Sequence, residues 1–408
     1  METDKPPAHL AGDFALLLTI TFFTTFGSSM VAASPVPFLL KELAGPTSTF
    51  EWLIGVLTSI TSVAVITGNF AGGFLADRIG RKTVIVLGSG AMIPSLLAYT
   101  VVPTANLAVT LYFVQMFAIS LFQPALTALV ADVSKTSTRG NAFGRFYLFS
   151  IGSGVPAYAL GGYLADIFGL RFPFIIAALA VVVGLFASFG LSGISSLANY
   201  TDEVGKQVED ETSVMPYATV LVVFGTLGLL TGVATGMLLP LNRLYPIEQL
   251  HVDATELGLI FSLGSALVTA LVQIPGGKLT DKFGRKPLML FSLLGTPFVV
   301  ALAYTNSVFA FILVSAGLVA FGNIAAPAYS AWQMELVSCS RRATASGIIN
   351  AITGIGMFFS PFISVWLYQT QPNVAIAFIA SAVPWVLMIP PILKLKETKT
   401  RGPKASPL

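Results

Sequence analysis

Nine stretches of this chain run for at least 20 residues without an Asp, Glu, Lys or Arg, the length that an α-helix needs to cross a bilayer. These stretches are 14–40, 52–76, 83–131, 146–165, 172–201, 212–242, 257–277, 287–334 and 343–393. Only 10% of all residues are charged, whereas a soluble domain has about a quarter. The chain is therefore predicted to be a membrane protein.

The three longest of these runs hold more residues than one crossing requires. Each contains a cluster of turn-forming residues, at 103–106, 305–307 and 369–373, so each predicts two helices joined by a turn. The runs do not alternate apolar and polar residues as lipid-facing β-strands would. The expected fold class is an all-α membrane protein with twelve spans, numbered here in chain order.

The basic residues predict the orientation of these spans. If Met1 lies inside the cell, 19 of the 22 Lys and Arg residues fall on the cytoplasmic side, as the positive-inside rule requires. Lys41, Arg171 and Arg243 are then expected outside, beyond the ends of the spans. Both termini are expected in the cytoplasm, and the basic excess is a topology signal rather than a sign of nucleic-acid binding.

Metal sites, disulfides and a cleaved signal peptide are not expected. The single cysteine, Cys339, has no partner for an internal disulfide or a cysteine metal cluster. His9 and His251 are too few and too far apart for a histidine-rich site. No cofactor is therefore expected. The first apolar run has 27 residues, too many for the apolar region of a signal peptide.

A long repeat divides the chain. Residues 72–82 read GGFLADRIGRK and residues 276–286 read GGKLTDKFGRK, 204 positions later. Pro124 and Asp132 have counterparts in Pro327 and Glu335, each 203 positions later. The expected domains are two six-helix bundles, 1–192 and 216–393, joined by a polar cytoplasmic linker at 193–215 and followed by a tail at 394–408.

These two copies are similar to the signature loop of the major facilitator superfamily, which the chain resembles over essentially its full length. The resemblance implies two pseudo-symmetric bundles around a central cavity, a small-molecule substrate and alternating access, with no enzymatic activity. It also implies a plasma-membrane protein whose surroundings are lipid and which acts as a monomer. Proton coupling stays open.

The resemblance further implies a latch on the cytoplasmic side. Asp77 is expected against the start of span 11 and beside Arg81, which in turn reaches Asp132. The second copy is expected to form the same triad from Asp281, Arg285 and Glu335. Arg78, Lys82 and Lys286 are expected only to maintain topology. The complete predicted gate set is Gly73, Asp77, Arg78, Gly80, Arg81, Asp132, Arg139, Gly277, Asp281, Gly284, Arg285, Glu335 and Arg342.

Spans 1, 4, 7 and 10 line the cavity in this family. The polar residues near their midpoints are therefore the cavity candidates, together with one residue of span 11: Thr24, Thr25, Ser28, Tyr112, Gln115, Gln123, Thr226, Thr231, Asn323 and Asn350. For Gln115 and Asn323, hydrogen bonding between helices is the alternative. No charged residue is expected at the midplane of any span, which argues against strongly anionic substrates.

The leading functional hypothesis is a secondary transporter that exports small neutral or amphiphilic organic compounds. Span 5 partly resembles the glycine-rich helix of the family's exporters, which packs against span 8 or 11. The alternative is an uptake facilitator or symporter for a metabolite such as a sugar, and a non-transporting receptor or scaffold is a remote third. If protons drive transport, the titratable group is expected to be peripheral, at Asp13, Asp132 or Arg145, or to belong to the substrate.

Overall fold

The computed structural model describes residues 8–44, 47–134, 139–191, 216–336 and 342–395. Within these ranges the chain is helical and contains no β-strand. The first eight helices are α1 Ala8–Ala32, α2 Pro35–Ala44, α3 Thr47–Ile79, α4 Arg81–Ala98, α5 Ala105–Val133, α6 Arg139–Gly152, α7 Gly154–Phe168 and α8 Phe172–Phe189.

The remaining helices follow the predicted linker. They are α9 Tyr217–Glu248, α10 Ala254–Phe261, α11 Leu267–Phe283, α12 Arg285–Ser292, α13 Thr296–Leu302, α14 Val308–Ile324, α15 Ala326–Leu336, α16 Arg342–Thr370, α17 Ala375–Leu387 and α18 Ile389–Lys394. Short 3₁₀ turns follow α4 and α12, and a π turn at Ser262–Ala266 follows α10.

Several helices begin at residues whose side chains satisfy the first free backbone N–H groups. Thr104 accepts a hydrogen bond from a backbone N–H at the start of α5, and Ser307 does the same for α14. At α10 the Asp253 carboxylate accepts from the Glu256 N–H, and the Glu256 carboxylate accepts from the Asp253 N–H. These two reciprocal hydrogen bonds form a capping box.

Eleven segments within the described ranges are long and apolar enough to cross a membrane. The twelfth predicted span, span 5, is divided into α6 and α7 at Ser153. Pro156 explains the break, because proline has no N–H and leaves the Gly152 carbonyl without its helical partner. Span 5, predicted at 146–165, therefore consists of two consecutive helices.

The contacts divide the chain into two units. The first consists of Met1–Gln207 with Asn242–Leu267, and the second of Val208–Leu241 with Val268–Leu408. The last seven residues of α9, together with α10, therefore pack with the first six spans, although the repeat places them in the second half. The predicted domain boundaries at 192 and 216 stay a prediction.

Each unit has its own core. In the first, the Tyr99 ring stacks on Phe174 at 4.4 Å between centroids, and the Tyr99 hydroxyl donates to the Ala108 carbonyl at 2.8 Å. In the second, the buried Trp332 meets the Phe224 ring edge to face. The second unit also packs α9 tightly on α16, since a Cβ atom at Gly232 would overlap the backbone of α16.

Candidate functional site

Both signature loops turn at a glycine with positive φ. Gly80 has a φ of 87° and Gly284 a φ of 90°, and each stands between two helices. Residues with a Cβ atom rarely adopt this conformation, so these glycines allow α3 to be followed at once by α4 and α11 by α12. In each unit, the side that carries its own signature turn is called the motif side below.

In each copy, only the first of the two adjacent glycines permits close helix packing. A Cβ atom at Gly73 or Gly277 would meet no other atom within 4 Å. A Cβ atom at Gly72 would instead overlap the Leu121 carbonyl of α5, and one at Gly276 would lie 2.7 Å from the Ile324 carbonyl oxygen. The close approach therefore depends on the preceding glycine in both copies.

Arg81 and Asp132 form an ion pair between the start of α4 and the end of α5. Their side chains are 36% and 29% exposed, so solvent screening limits the contribution of the pair to about 1 kcal/mol. Asp77 is exposed. The resemblance predicts that Asp77 pairs with Arg81, but the ion pair described for Arg81 is the one with Asp132. Arg78 lies over the Phe74 ring, 4.1 Å from its centre.

The second signature loop differs from the first in its arginine. Arg285 is only 4% exposed, and it donates to the Thr280 carbonyl oxygen at 3.2 Å. Four other residues of the predicted gate set have side chains that lie outside the described part of the structure. They are Arg139, Asp281, Glu335 and Arg342.

The lysines of the two loops do more than maintain topology, contrary to expectation. The Lys82 ammonium donates to the carbonyl oxygens of Phe189 and Leu191, at 2.8 and 2.6 Å. The Lys286 ammonium donates to those of Leu393 and Leu395, at 2.7 and 3.2 Å. Both contact partners in the second copy lie 204 positions after those in the first. Each lysine thus caps the last helix of its sequence half.

On the side opposite the motif side, Asp166 binds the start of α10. Its carboxylate accepts hydrogen bonds from the backbone N–H groups of Ala254 and Thr255, at 3.3 and 2.7 Å, and from the Thr255 hydroxyl. A carboxylate is favoured here because the first N–H groups of a helix carry a partial positive charge. The sequence analysis missed this contact.

Glycines bring α7 and α10 into direct backbone contact. A Cβ atom at Gly162 would overlap the Ala254 carbonyl, and one at Gly258 would overlap the Tyr158 carbonyl. Gly161, on the adjoining face of α7, approaches the Met30 carbonyl of α1 in the same way. The helix α7 is therefore held closely between α1 and α10. Asp166, Gly162, Gly258 and the first turn of α10 are called the α7–α10 contact below.

In the first unit the structure brings several cavity candidates together. The hydroxyls of Thr25 and Ser153 are 2.7 Å apart, at the break between α6 and α7. The Gln115 amide nitrogen lies 3.5 Å from the Ser28 hydroxyl oxygen, and the Gln115 side chain is fully buried. Tyr112 is also buried, with 4% of its surface exposed.

The other cavity candidates have no described hydrogen bond to one another. Thr24 is buried, and its hydroxyl donates to the Ile20 carbonyl oxygen at 2.7 Å. Gln123 is half-buried, and Asn350 and Thr226 are exposed. Three candidates of the second unit donate to the backbone carbonyl four residues earlier in their own helix: Thr226, Thr231 and Asn323.

Arg243 follows the apolar run 212–242, and its expected position on the outer side stays a prediction. It lies within α9, its side chain is 9% exposed, and its guanidinium carbon is 5.3 Å from the centre of the Phe261 ring. Among the residues that the structure describes, no group of three His, Cys, Asp or Glu side chains could hold a metal ion.

Comparisons with known proteins agree with this architecture. The family model described as Major Facilitator Superfamily matches residues 17–213 and 224–408. The chain is 23% identical over 370 residues to "Multidrug resistance protein 1" of Bacillus subtilis (strain 168), covering 88% of this chain and 90% of that one. It is also 23% identical over 388 residues to "Proton-coupled antiporter flippase LtaA" of Staphylococcus haemolyticus (strain JCSC1435), covering 93% of each.

A solved structure has the same fold. The crystal structure of a D-xylose-proton symporter superposes with a TM-score of 0.78, covering 97% of this chain and 99% of that one at 15% sequence identity. At this identity the likeness concerns the fold alone. Because the family model matches nearly the whole length, this chain belongs to the Major Facilitator Superfamily of membrane transporters.

Proposed function

We propose that this transporter exports small amphiphilic organic solutes by alternating access. The observation that carries the proposal is the arrangement of span 5. This span breaks at Ser153, and its Gly161–Gly162 pair packs between α1 and α10, which begins span 8. The exporter helix that span 5 resembles is expected to pack in this way and to bend as access changes.

The proposal assigns one closing contact to each side of the first unit. On the motif side, the Arg81–Asp132 ion pair connects the first signature loop to the end of α5. Asp77, in the same loop, is exposed. On the opposite side, the α7–α10 contact joins residues from the two sequence halves. The Arg81–Asp132 pair is partly exposed to solvent, so it can open without a large loss of free energy.

The names of two similar proteins favour export. The Bacillus subtilis relative is called a multidrug resistance protein, and the Staphylococcus haemolyticus relative is called a proton-coupled antiporter flippase. Proton coupling in this chain would need a titratable group near a moving contact. Asp132 and Asp166 both occupy such positions. We also propose a plasma-membrane monomer with both termini in the cytoplasm.

Uptake of a sugar is the second candidate, because the superposed crystal structure is a D-xylose-proton symporter. The two functions are separated by transport assays on the purified protein in proteoliposomes with an imposed proton gradient. The panel should contain lipophilic drugs and neutral sugars. We expect the drugs to move and the gradient to accelerate them. Accumulation of a sugar in the uptake direction, with no drug transport, would overturn the proposal in favour of the symporter.

A further inference from the structure

Spans 5 and 8 are both irregular, and their irregular parts lie side by side. Span 5 breaks at Ser153, between α6 and α7, and span 8 contains the π turn between α10 and α11. Ser262, the first residue of the π turn, donates from its hydroxyl to the Val155 carbonyl oxygen at 2.7 Å. A Cβ atom added at Gly154 would lie 3.6 Å from the Cβ atom of Ala266, the last residue of the π turn. Both ends of the π turn therefore contact the break in span 5.

The break in span 5 is also joined to α1. The hydroxyl oxygens of Thr25 and Ser153 are 2.7 Å apart. Ser153 and Ser262 are buried, with 0% and 2% of their surfaces exposed. Separating buried hydroxyls from their partners is unfavourable, because water does not replace the lost hydrogen bonds. These contacts are called the 5–8 junction, which comprises Thr25, Ser153, Gly154, Val155, Ser262 and Ala266.

Both spans lack regular helical hydrogen bonding at this junction. In span 5, Pro156 has no N–H, so the Gly152 carbonyl lacks its helical partner. In span 8, the Leu267 N–H donates to the Ser262 carbonyl oxygen, five residues earlier rather than four. A helix bends most readily where its regular hydrogen bonds are interrupted. Each span can therefore change direction at the 5–8 junction.

The outer contact between α7 and α10 lies far enough from the junction to respond to such a bend. Asp166 follows Val155 by 11 residues, about 16 Å along α7. A kink of about 20° at the junction would displace Asp166 by about 5 Å, which breaks its hydrogen bonds to Thr255. Asp166 is exposed, so water can replace these hydrogen bonds when the contact opens.

We propose that the 5–8 junction is a pivot, which stays in contact while the outer parts of α7 and α10 separate. Ser262 is then a positioning residue, because its hydrogen bond keeps the inner end of α10 on span 5. The proposal rests on the proposed alternating access. It adds the residues about which the side opposite the motif side opens.

Two cysteine pairs test the pivot in the full-length Cys339→Ser protein in proteoliposomes. The pivot pair is Gly154→Cys with Ala266→Cys, whose Cβ separation of 3.6 Å suits a disulfide. The outer pair is Asp166→Cys with Thr255→Cys, which replaces two side chains in contact. Each variant is assayed after oxidation with copper phenanthroline and again after reduction with dithiothreitol. The transported probe is whichever drug or sugar of the panel the wild type moves.

We expect the oxidised pivot pair to transport within twofold of its reduced rate. The oxidised outer pair should lose at least tenfold and recover on reduction, and the Cys339→Ser parent should not respond to oxidation. A tenfold loss in the oxidised pivot pair would overturn the proposal, because the two spans would then separate along their whole length. Full transport by the oxidised outer pair would also overturn it, since that contact would not need to open.

Spin labels replace the cysteine pairs if a pair does not fold or oxidise, or if no solute of the panel moves. Labels on the exposed Leu148 and Leu263 report on the junction, and labels on the exposed Tyr163 and Gln249 report on the outer ends. Distances are measured in lipid nanodiscs at pH 5 and pH 8, with and without the panel drugs. We expect one distance for the first pair and two for the second. Two distances at the junction, or a single unchanging one at the outer ends, would contradict the pivot, whatever solute the protein carries.

Discussion

At the scale of single residues, the lysine that ends each signature loop has a structural role that its sequence context hides. Lys82 and Lys286 sit among other basic residues, which the positive-inside rule already accounts for. The last carbonyl groups of a helix have no partner within the helix, and a cation nearby is favourable. Each lysine bonds two such carbonyl oxygens and so fixes the end of α8 or α18 to the loop.

Replacing Lys82 by methionine should lower stability while keeping the length of the side chain. Loss of two charge-assisted hydrogen bonds near the membrane surface should cost about 1–2 kcal/mol. Thermal unfolding of the purified protein in detergent, followed by tryptophan fluorescence, should therefore begin several degrees lower. The control is Lys278→Met, since Lys278 is an exposed lysine near the second loop. Equal midpoints for the two variants would show that the Lys82 contacts contribute nothing.

The sequence predicts the region of a helix contact better than it predicts which residue of that region forms the contact. The repeat located both loops, and the turn glycines Gly80 and Gly284 do have positive φ. The packing glycines are Gly72 and Gly276 rather than their neighbours, because one residue along a helix is a rotation of about 100°. The sequence does not give the position of the neighbouring helix, so it does not show which of two adjacent glycines faces that helix.

At the scale of helices, α7 packs closely against two neighbouring helices, α1 and α10. Gly161 approaches α1, Gly162 approaches α10, and Asp166 binds the first N–H groups of α10. Because Pro156 interrupts the helix just before these contacts, α7 can change direction without carrying α6 with it. The outward opening of the proposed exporter is therefore expected to begin with the loss of the α7–α10 contact.

Gly162→Ala should loosen the α7–α10 contact, because the added Cβ atom would overlap the Ala254 carbonyl. The readout is maleimide labelling of Ser262→Cys in a Cys339→Ser background, since Ser262 is buried and donates to the Val155 carbonyl oxygen at 2.7 Å. Labelling should be several-fold faster than in the parent.

Gly152→Ala is the matched control, because a Cβ atom there would meet nothing within 4 Å. Its labelling rate should equal that of the parent. Unchanged labelling in Gly162→Ala would mean that α10 adjusts around the added methyl group, and the contact would not be a barrier to opening.

Helix lengths were underestimated for a simple reason. Each span was taken to end at the first charged residue, which excluded Asp166 and Arg243. In the structure α7 continues to Phe168 and α9 to Glu248, so both residues lie inside helices and contact neighbouring ones. A charged residue with partners inside the protein does not terminate a helix. Sequence alone does not supply those partners, which come from other spans.

At the scale of the whole molecule, the division into units does not follow the repeat. Residues Asn242–Leu267 belong to the second half of the sequence but to the first unit by contact. If access alternates as we propose, we expect this segment to separate from the other helices of the first unit when the side opposite the motif side opens. The family resemblance expects Asp77 to help close the motif side in that state.

Asp77→Asn tests this expectation. Removing the charge should leave the amount of protein in the membrane unchanged and reduce transport about fivefold, the effect of losing about 1 kcal/mol from an exposed ionic contact. Transport of the panel drugs in proteoliposomes, normalised to protein content, measures the change. Glu42→Gln, which removes an exposed carboxylate on the opposite side, should keep the full rate. An Asp77→Asn protein as fast as this control would remove Asp77 from the proposed latch.

Each lysine cap is formed within one half of the sequence. Lys82 and both of its carbonyl partners precede residue 192, whereas Lys286 and both of its partners follow residue 215. A cut anywhere in the connecting segment would thus separate no lysine from the carbonyls it binds. Each sequence half keeps its own lysine cap at its final helix, so we expect the two halves to retain these caps when they are produced as separate polypeptides in one membrane.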